Sequence, residues 1–309
     1  MGTLTSFLAW WEPIFMFTVF NVIIVTGLYI SALSGQLSLA TAAIAGIGGY
    51  ISGVLTVNFG VPFWPAVFAA TAAGGLIGTF LAAITVRMSL FILKLTTLAF
   101  GEAVVVIVLN TDYMGGANSF TGMPLYTSVP VAVGAMLVAI FIAWRFDGSR
   151  LGLAARAVRD DPLAAASTGI SILRIRIVTF ALGAAIVGAG GAIQAHYVLI
   201  MNPQELGFFV SLNYIIFLLV GGLYSLSGAI LGAVVMTALP ELLRFAHEYR
   251  QILYGATIVA IIMLRPDGLI TRRPTGVPSR LQWLLTYSGL AAVLRVRTGR
   301  IAEARQRRP

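Results

Sequence analysis

The stretch "LSGQLSLATAAIAGIGGY", Leu33–Tyr50, puts four glycines and the polar side chains of Gln36, Ser38 and Thr41 between two apolar stretches. Wound as a helix, Ser38, Thr41, Ala45, Gly49 and Ser52 share one face by three- and four-residue steps. Ile44, Ile47, Ile51 and Leu55 share another, roughly 120° away at about 100° per residue. The bulky face suits lipid, and the small polar face suits protein or a water-filled path. Gly35, with Ser34, marks a place where a helix breaks or turns. At membrane depth such a break is tolerated only where protein or a cavity covers the freed backbone groups.

The surroundings justify the bilayer. Of 309 residues 10% are charged and 59% hydrophobic, and no formal charge falls in the 74 residues between Glu12 and Arg87. One span needs ~20 apolar residues, so this gap holds about three. Further uncharged runs cover 113–144, 177–204 and 206–240. They are too long and too continuously apolar for the alternating strands of a barrel. The expected fold is an all-α, polytopic helical membrane protein with about 8–10 transmembrane helices. Spans are predicted at 13–33, 37–57, 62–84, 93–110, 128–144, 173–196, 207–223, 226–243 and 250–264. Pairs such as Gly74/Gly78, Ala184/Gly188 and Gly228/Gly232 read as packing notches between them.

The net charge of +9 does not indicate nucleic acid. With the 145–172 loop inside, eighteen of the twenty Lys and Arg fall inside, which is the positive-inside rule. The transmembrane domain is expected to occupy 1–270. The remainder, 271–309, carries nine arginines and reads as an interfacial helix on the inner leaflet or as a disordered basic tail. Met1–Glu12 lacks the basic start of a cleavable signal.

Catalytic signatures are missing. Cysteine is absent, and His196 and His247 lack metal-ligand spacing. No nucleophile elbow or phosphate-binding loop occurs. Glu102, inside "LTTLAFGEAVVVIVL", costs a few kcal/mol in lipid unless partnered. It is a functional group or a hydrogen-bonded structural one. The polar stretch 147–176 reads as two short helices. Asp160 or Asp161 caps the second, Pro162 takes its first position and Gly169 ends it. Ala164, Ala165 and Ala166 give it a small apolar centre, framed by arginines. Such a helix fits a groove of another protein, or serves as a solvated connector.

Five segments in register resemble one family. These are "GQLSLATAAIAGIGGY" (Gly35–Tyr50), "LTTLAFGE" (Leu95–Glu102), "RAVRDDPLAAASTGI" (Arg156–Ile170), "GGLYSLSGAILGAVV" (Gly221–Val235) and "RPDGL" (Arg265–Leu269). They are similar to the membrane permease subunits of branched-chain amino-acid ABC importers, in particular the M-type member of the permease pair, over roughly residues 20–270. The resemblance implies a bacterial inner-membrane protein with its C-terminus in the cytoplasm. It implies a homologous second permease, two ATP-binding-cassette ATPases and a periplasmic binding protein as partners. ATP and Mg would be used by the ATPases, with no cofactor bound by this chain and no nucleic acid. Arg156, Arg159, Asp160, Asp161, Pro162, Leu163, Ala164, Ala165 and Gly169 would form the ATPase-coupling loop. Gln36, Ser38, Thr41, Thr97 and Glu102 are the candidate pathway residues. Where the family often has Gly-His, this chain has Ala40 and Thr41, which leaves the solute open among branched-chain amino acids, amides, urea and aromatic acids. The competing reading is a secondary transporter or channel, for which Glu102 would be the one intramembrane coupling group.

Overall fold

The computed structural model describes residues 2–265 and 268–270, so the arginine-rich tail lies outside the described residues. Eleven α-helices occur among them. Nine are apolar: α1 (Gly2–Ala32), α2 (Thr41–Val57), α3 (Phe63–Thr85), α4 (Leu90–Leu109), α5 (Val129–Asp147), α8 (Ile172–Val198), α9 (Phe208–Gly221), α10 (Leu226–Leu242) and α11 (Arg250–Leu264). They correspond one for one to the nine predicted spans. Two short helices, α6 (Arg150–Asp160) and α7 (Pro162–Ser167), make the loop between α5 and α8. The fold is a polytopic helical membrane protein, as expected.

Serine starts several helices on the side of the molecule that carries this loop. Ser89, Ser149, Ser171 and Ser225 accept from Ile92, Gly152, Arg174 and Gly228 N–H groups at the heads of α4, α6, α8 and α10. Each supplies an acceptor for a donor that the first turn leaves unpaired.

The long α8 is the hub, packed against α1, α2 and α3. Its small residues allow the approach. A methyl group built on Gly27 of α1 would lie 2.6 Å from the Gly183 carbonyl oxygen, and one on Gly74 of α3 would lie 2.6 Å from that of Ala184. A methyl on Gly188 would lie 2.8 Å from the Ala70 oxygen. Gly228 and Gly232 of α10 meet Gly221 of α9 in the same way. The predicted notches are real contacts.

The expectation for α2 needs correction. Ile44 is buried, and Ile47, Ile51 and Leu55 are only partly exposed. The helix has no open lipid face of the kind its pattern implied: Ile47 and Ile51 line an apolar cleft of about 530 Å³ walled by α3 and α4. Its small side, through Gly48 and Gly49, packs on α8 and the segment that follows α8.

Five of the nine apolar helices are long enough to cross a membrane by length and composition. Of the shorter ones, α9 has 14 residues and α2 has 17. At 1.5 Å per residue α9 covers ~21 Å of a ~30 Å hydrocarbon layer. Irregular chain supplies the rest in both cases, and there the functional groups collect.

Candidate functional site: two broken helices and a loop clamp

Between α1 and α2 the chain is unwound from Leu33 to Ala40, later than the predicted span start at 37. Gly35 has φ +84°, a left-handed value that favours glycine. The unwound backbone is enclosed by side-chain partners. Thr97 Oγ1 of α4 accepts from Leu39 N–H at 3.1 Å, and Ser38 Oγ accepts from Ala40 N–H at 3.1 Å. Ser211 Oγ of α9 accepts from Ala42 N–H at 3.0 Å. Thr41 donates to the Ser38 carbonyl at 3.0 Å, closing the turn that starts α2. Ser34 Oγ lies 2.7 Å from Thr179 Oγ1 and 3.1 Å from Gln36 Oε1. The Gln36 side chain is fully buried, and its Nε2 has no partner among the described residues.

Distance along α8 gives the depth. Ser34 is level with Thr179, and a methyl on Gly191 would collide with the Ala45 carbonyl. Twelve residues of helix separate those levels, ~18 Å. The first turns of α2 therefore lie well inside the membrane.

A second break follows α8. Leu199 ends that helix with φ +65°. Ile200–Met201 pairs antiparallel with Phe120–Thr121, placing Phe120 opposite Met201. A 310 turn, Pro203–Leu206, then leads into α9. Leu206 is buried over Gly46 of α2, where no β-carbon would fit. Glu102 Oε1 of α4 accepts from Phe208 N–H at 2.8 Å, at the positive end of α9. The Glu102 side chain is exposed on this single chain and serves as a cap. The starts of α2 and α9 thus meet each other and are both held by α4. Discontinuous helices whose N-termini meet at membrane depth are a recurrent way to build solute sites in transporters.

Beside this junction is a cavity of about 320 Å³, walled by α1, α2, α8, the 310 turn and α9. Its polar groups are Gln194, Glu205 and Tyr214, and its apolar wall includes Phe17, Leu206 and Val210. None of Gln36, Ser38, Thr41, Thr97 or Glu102 is on its wall. Those five are brought together as braces of the two breaks instead. Incomplete hydration of Glu205 among its neighbours raises its carboxyl above the usual 4.5.

On the outer side of the cavity, His196 is fully buried. Its Nδ1 lies 3.2 Å from the Pro124 carbonyl, which can only accept, so this nitrogen carries a proton. Nε2, 2.9 Å from Ser52 Oγ, then takes the serine proton in the neutral ring. This histidine fastens the 123–127 segment to α2 and α8.

At the opposite end the loop is clamped. Asp147, buried at the end of α5, accepts from Tyr29 Oη of α1 at 3.1 Å and pairs with Arg156 Nη1 at 3.4 Å. Arg156 also donates to the Asp147 carbonyl. The Arg159 stem lies 3.4 Å from where a methyl on Gly35 would be. Its guanidinium stacks 4.6 Å from the Tyr224 ring centroid, in the turn between α9 and α10. Asp161, rather than Asp160, caps α7: its Oδ1 accepts from Leu163 and Ala164 N–H at 2.9 and 3.0 Å. Gly169 follows with φ +83°. Leu163 is 82% exposed and Ala165 only 4%. The outward surface of α7 is therefore Leu163, Ala164 and Ala166, with Ala165 packed inward. Asp147, Gln194, Glu205 and Tyr214 were not among the predicted residues. A carboxylate three residues before a short apolar helix is the signal by which Glu205 could be found.

Residues 13–262 match the family model described as branched-chain amino acid transport system / permease component. The chain belongs to this family. The permease is similar to the high-affinity branched-chain amino acid transport system permease protein LivM of Salmonella typhimurium, with 27% identity over 77% of this chain and 64% of the relative. LivM of Escherichia coli gives the same figures. LivH of Salmonella typhimurium is 25% identical over 60% of this chain and 62% of its own length. The permease thus spans just under two thirds of these relatives. No solved structure matches it.

Proposed function

We propose that this chain is the transmembrane subunit of an ATP-driven importer, carrying a branched-chain amino acid or a related small solute from a periplasmic binding protein to the cytoplasm. Its partners are a homologous second permease and two ABC ATPases, which use the ATP and Mg. It sits in the bacterial inner membrane with the 148–171 loop and the C-terminus in the cytoplasm. Beyond the family match, the observation that carries the reading is α7, a six-residue capped helix presenting Leu163 outward.

The geometry supports a route for the stroke. An ATPase cleft that seats Leu163 and Ala166 moves α7, and the direct junction at Asp161 passes the movement to α6. Arg156 carries it to Asp147 and Tyr29, hence to α5 and α1. Arg159 carries it to the unwound stretch at Gly35 and to the end of α9 at Tyr224. The helices that adjoin those two points, α2 and α9, both line the cavity. Such coupling requires two global states that nucleotide and solute favour differently. A self-sufficient secondary transporter needs a titrating intramembrane group. Glu102, the nominated one, is engaged as the cap of α9.

The test is reconstitution in liposomes with and without the ATPases, the second permease and the binding protein. ATP-dependent uptake by the full assembly alone is expected. Uptake by the lone chain would overturn the importer reading.

A further inference from the structure

One face of α4 does not suit lipid. Ile92, Leu95, Ala99, Glu102, Ala103 and Val106 share it by three- and four-residue steps, and all six are exposed on this chain. Leu93, Thr97, Val104 and Val108, on the other side, are buried. Glu102 lies twelve residues, ~18 Å, beyond Leu90 at the head of α4 and seven residues before its end at Leu109. Its carboxylate is therefore within the ~30 Å hydrocarbon layer. Oε1 accepts from Phe208 N–H, and Oε2 has no partner among the described residues. A carboxylate left open to acyl chains is costly, and such groups face protein or water as a rule. The outward faces of α3 and α5 are different. Phe68, Leu76 and Phe80 on the first, and Leu137, Val138 and Phe141 on the second, are large, apolar and exposed, as lipid favours.

We propose that the second permease packs on this face of α4, and that one of its membrane helices brings a hydrogen-bond donor to Glu102 Oε2. The inference rests on the reading of this protein as an importer subunit, and names the surface through which the pair forms. Ala99 and Ala103, one turn apart beside Glu102, let a helix backbone come close, as small residues do at interfaces within membranes. The occupant is not a second copy of this chain. A two-fold axis along the membrane normal would set Glu102 at the depth of its own copy, like charge toward like. A different chain with a donor at that depth satisfies the carboxylate instead. Glu102 then joins α4, the start of α9 and the neighbouring subunit through one side chain.

The chain has no cysteine, so a single introduced cysteine reports on one position. Ala103→Cys and Val138→Cys are each labelled with a benzophenone maleimide in membranes that hold the second permease and the ATPases. The adducts formed on irradiation are identified by mass spectrometry. Ala103→Cys is expected to join the second permease, and Val138→Cys to join lipid. Ala103→Trp is expected to cut the second permease that co-purifies with this chain at least tenfold, with the unfolding midpoint of the lone chain unchanged, and Val138→Trp to change neither. Glu102→Gln keeps an acceptor for Phe208 N–H but turns the other oxygen into a donor, so it should weaken co-purification several-fold. Lipid or a second copy of this chain on Ala103→Cys, its labelling by a membrane-impermeant maleimide in the assembly, or wild-type co-purification by Ala103→Trp would overturn the interface. Wild-type co-purification by Glu102→Gln would overturn the pairing at Oε2. Uptake separates the two readings. ATP-driven uptake by the full assembly, with lipid found on Ala103→Cys, removes the interface and keeps the importer. Crosslinking to the second permease without ATP-driven uptake keeps the interface and removes the importer.

Discussion

Replacing Gly74 by alanine tests whether the α3–α8 contact is as close as described. The added methyl would lie 2.6 Å from the Ala184 carbonyl oxygen, 3.2 Å from Gly188 Cα and 3.3 Å from the Ala184 carbonyl carbon. A carbon–oxygen contact settles near ~3.3 Å, so α3 must withdraw by about 0.7 Å. A gap of 0.5–1 Å forfeits about a quarter to a half of each dispersion contact across an interface. With overpacking strain, the expected loss is about 1–3 kcal/mol. Gly134 of α5 is the control: a methyl there meets nothing within 4 Å, so Gly134→Ala should be neutral or gain up to ~1 kcal/mol from helix propensity. Both variants are unfolded reversibly in detergent alongside wild type. Gly188→Ala, across the same contact, should cost a similar amount, and the double variant less than the sum, because one withdrawal accommodates both methyls. Gly74→Ala as stable as Gly134→Ala would refute the close packing, and with it the use of α8 as a depth scale.

The other predictions concern the loop and the cavity. Arg159→Ala removes a cation–π contact worth about 0.5–2 kcal/mol. In the assembly it should lower uptake several-fold while ATP hydrolysis persists, with Arg159→Lys recovering part. Leu163→Asp should abolish uptake and leave the unfolding midpoint of the lone chain unchanged. Ala165→Asp should lower that midpoint by burying a charge, at a cost of roughly 2–4 kcal/mol. Tyr29→Phe should cost ~1 kcal/mol, and Arg156→Met about 2–3 kcal/mol because it leaves the buried Asp147 without its guanidinium. A double-mutant cycle in detergent unfolding reads their coupling. The raised Glu205 carboxyl destabilises the folded chain above its folded pKa, where it must ionise among apolar neighbours. Without ligand, Glu205→Gln should therefore be the more stable protein at neutral pH. The difference should fade as pH falls through the raised value and vanish below the ordinary carboxylate range.

Periodicity and charge placed all nine apolar helices, because runs of uncharged sequence have few alternatives in a bilayer. The same reasoning failed on the face of α2. A 3.6-residue pattern reports which side is bulky, but in a multi-helix protein a bulky side meets another helix as readily as lipid. Ile44, covered on all sides, is the example. The capped loop helix was legible because Asp-Asp-Pro followed by small residues and Gly169 has a local meaning. Whether Ala165 or Leu163 faced outward depended on how α7 lies against α8, and no local rule carries that. Glu102 and Thr97 stood out as costly or polar residues in a span, yet their partners, Phe208 and Leu39, are remote in sequence. Gln194 and Glu205 escaped notice for the opposite reason. Polar residues at the end of a predicted span look like ordinary boundary residues until the chain after Leu199 turns back toward Gly46.

That return is also why the two breaks belong to one device. A straight α9 would need some six more residues to cross ~30 Å, and a regular helix in place of 33–40 would remove the close fit at Gly35. Both shortfalls occur where the chain also touches Arg159 or Tyr224 at one end and the cavity at the other. An unwound segment moves by small dihedral changes, while a packed helix such as α8 resists being bent. Movement imposed on α6 should therefore be taken up by the 33–40 stretch and by the turn at Tyr224, with α8 standing still. The glycine contacts along α8 and Arg159, between the 33–40 stretch and the turn at Tyr224, would then be two parts of one division of labour, the fixed post and the lever.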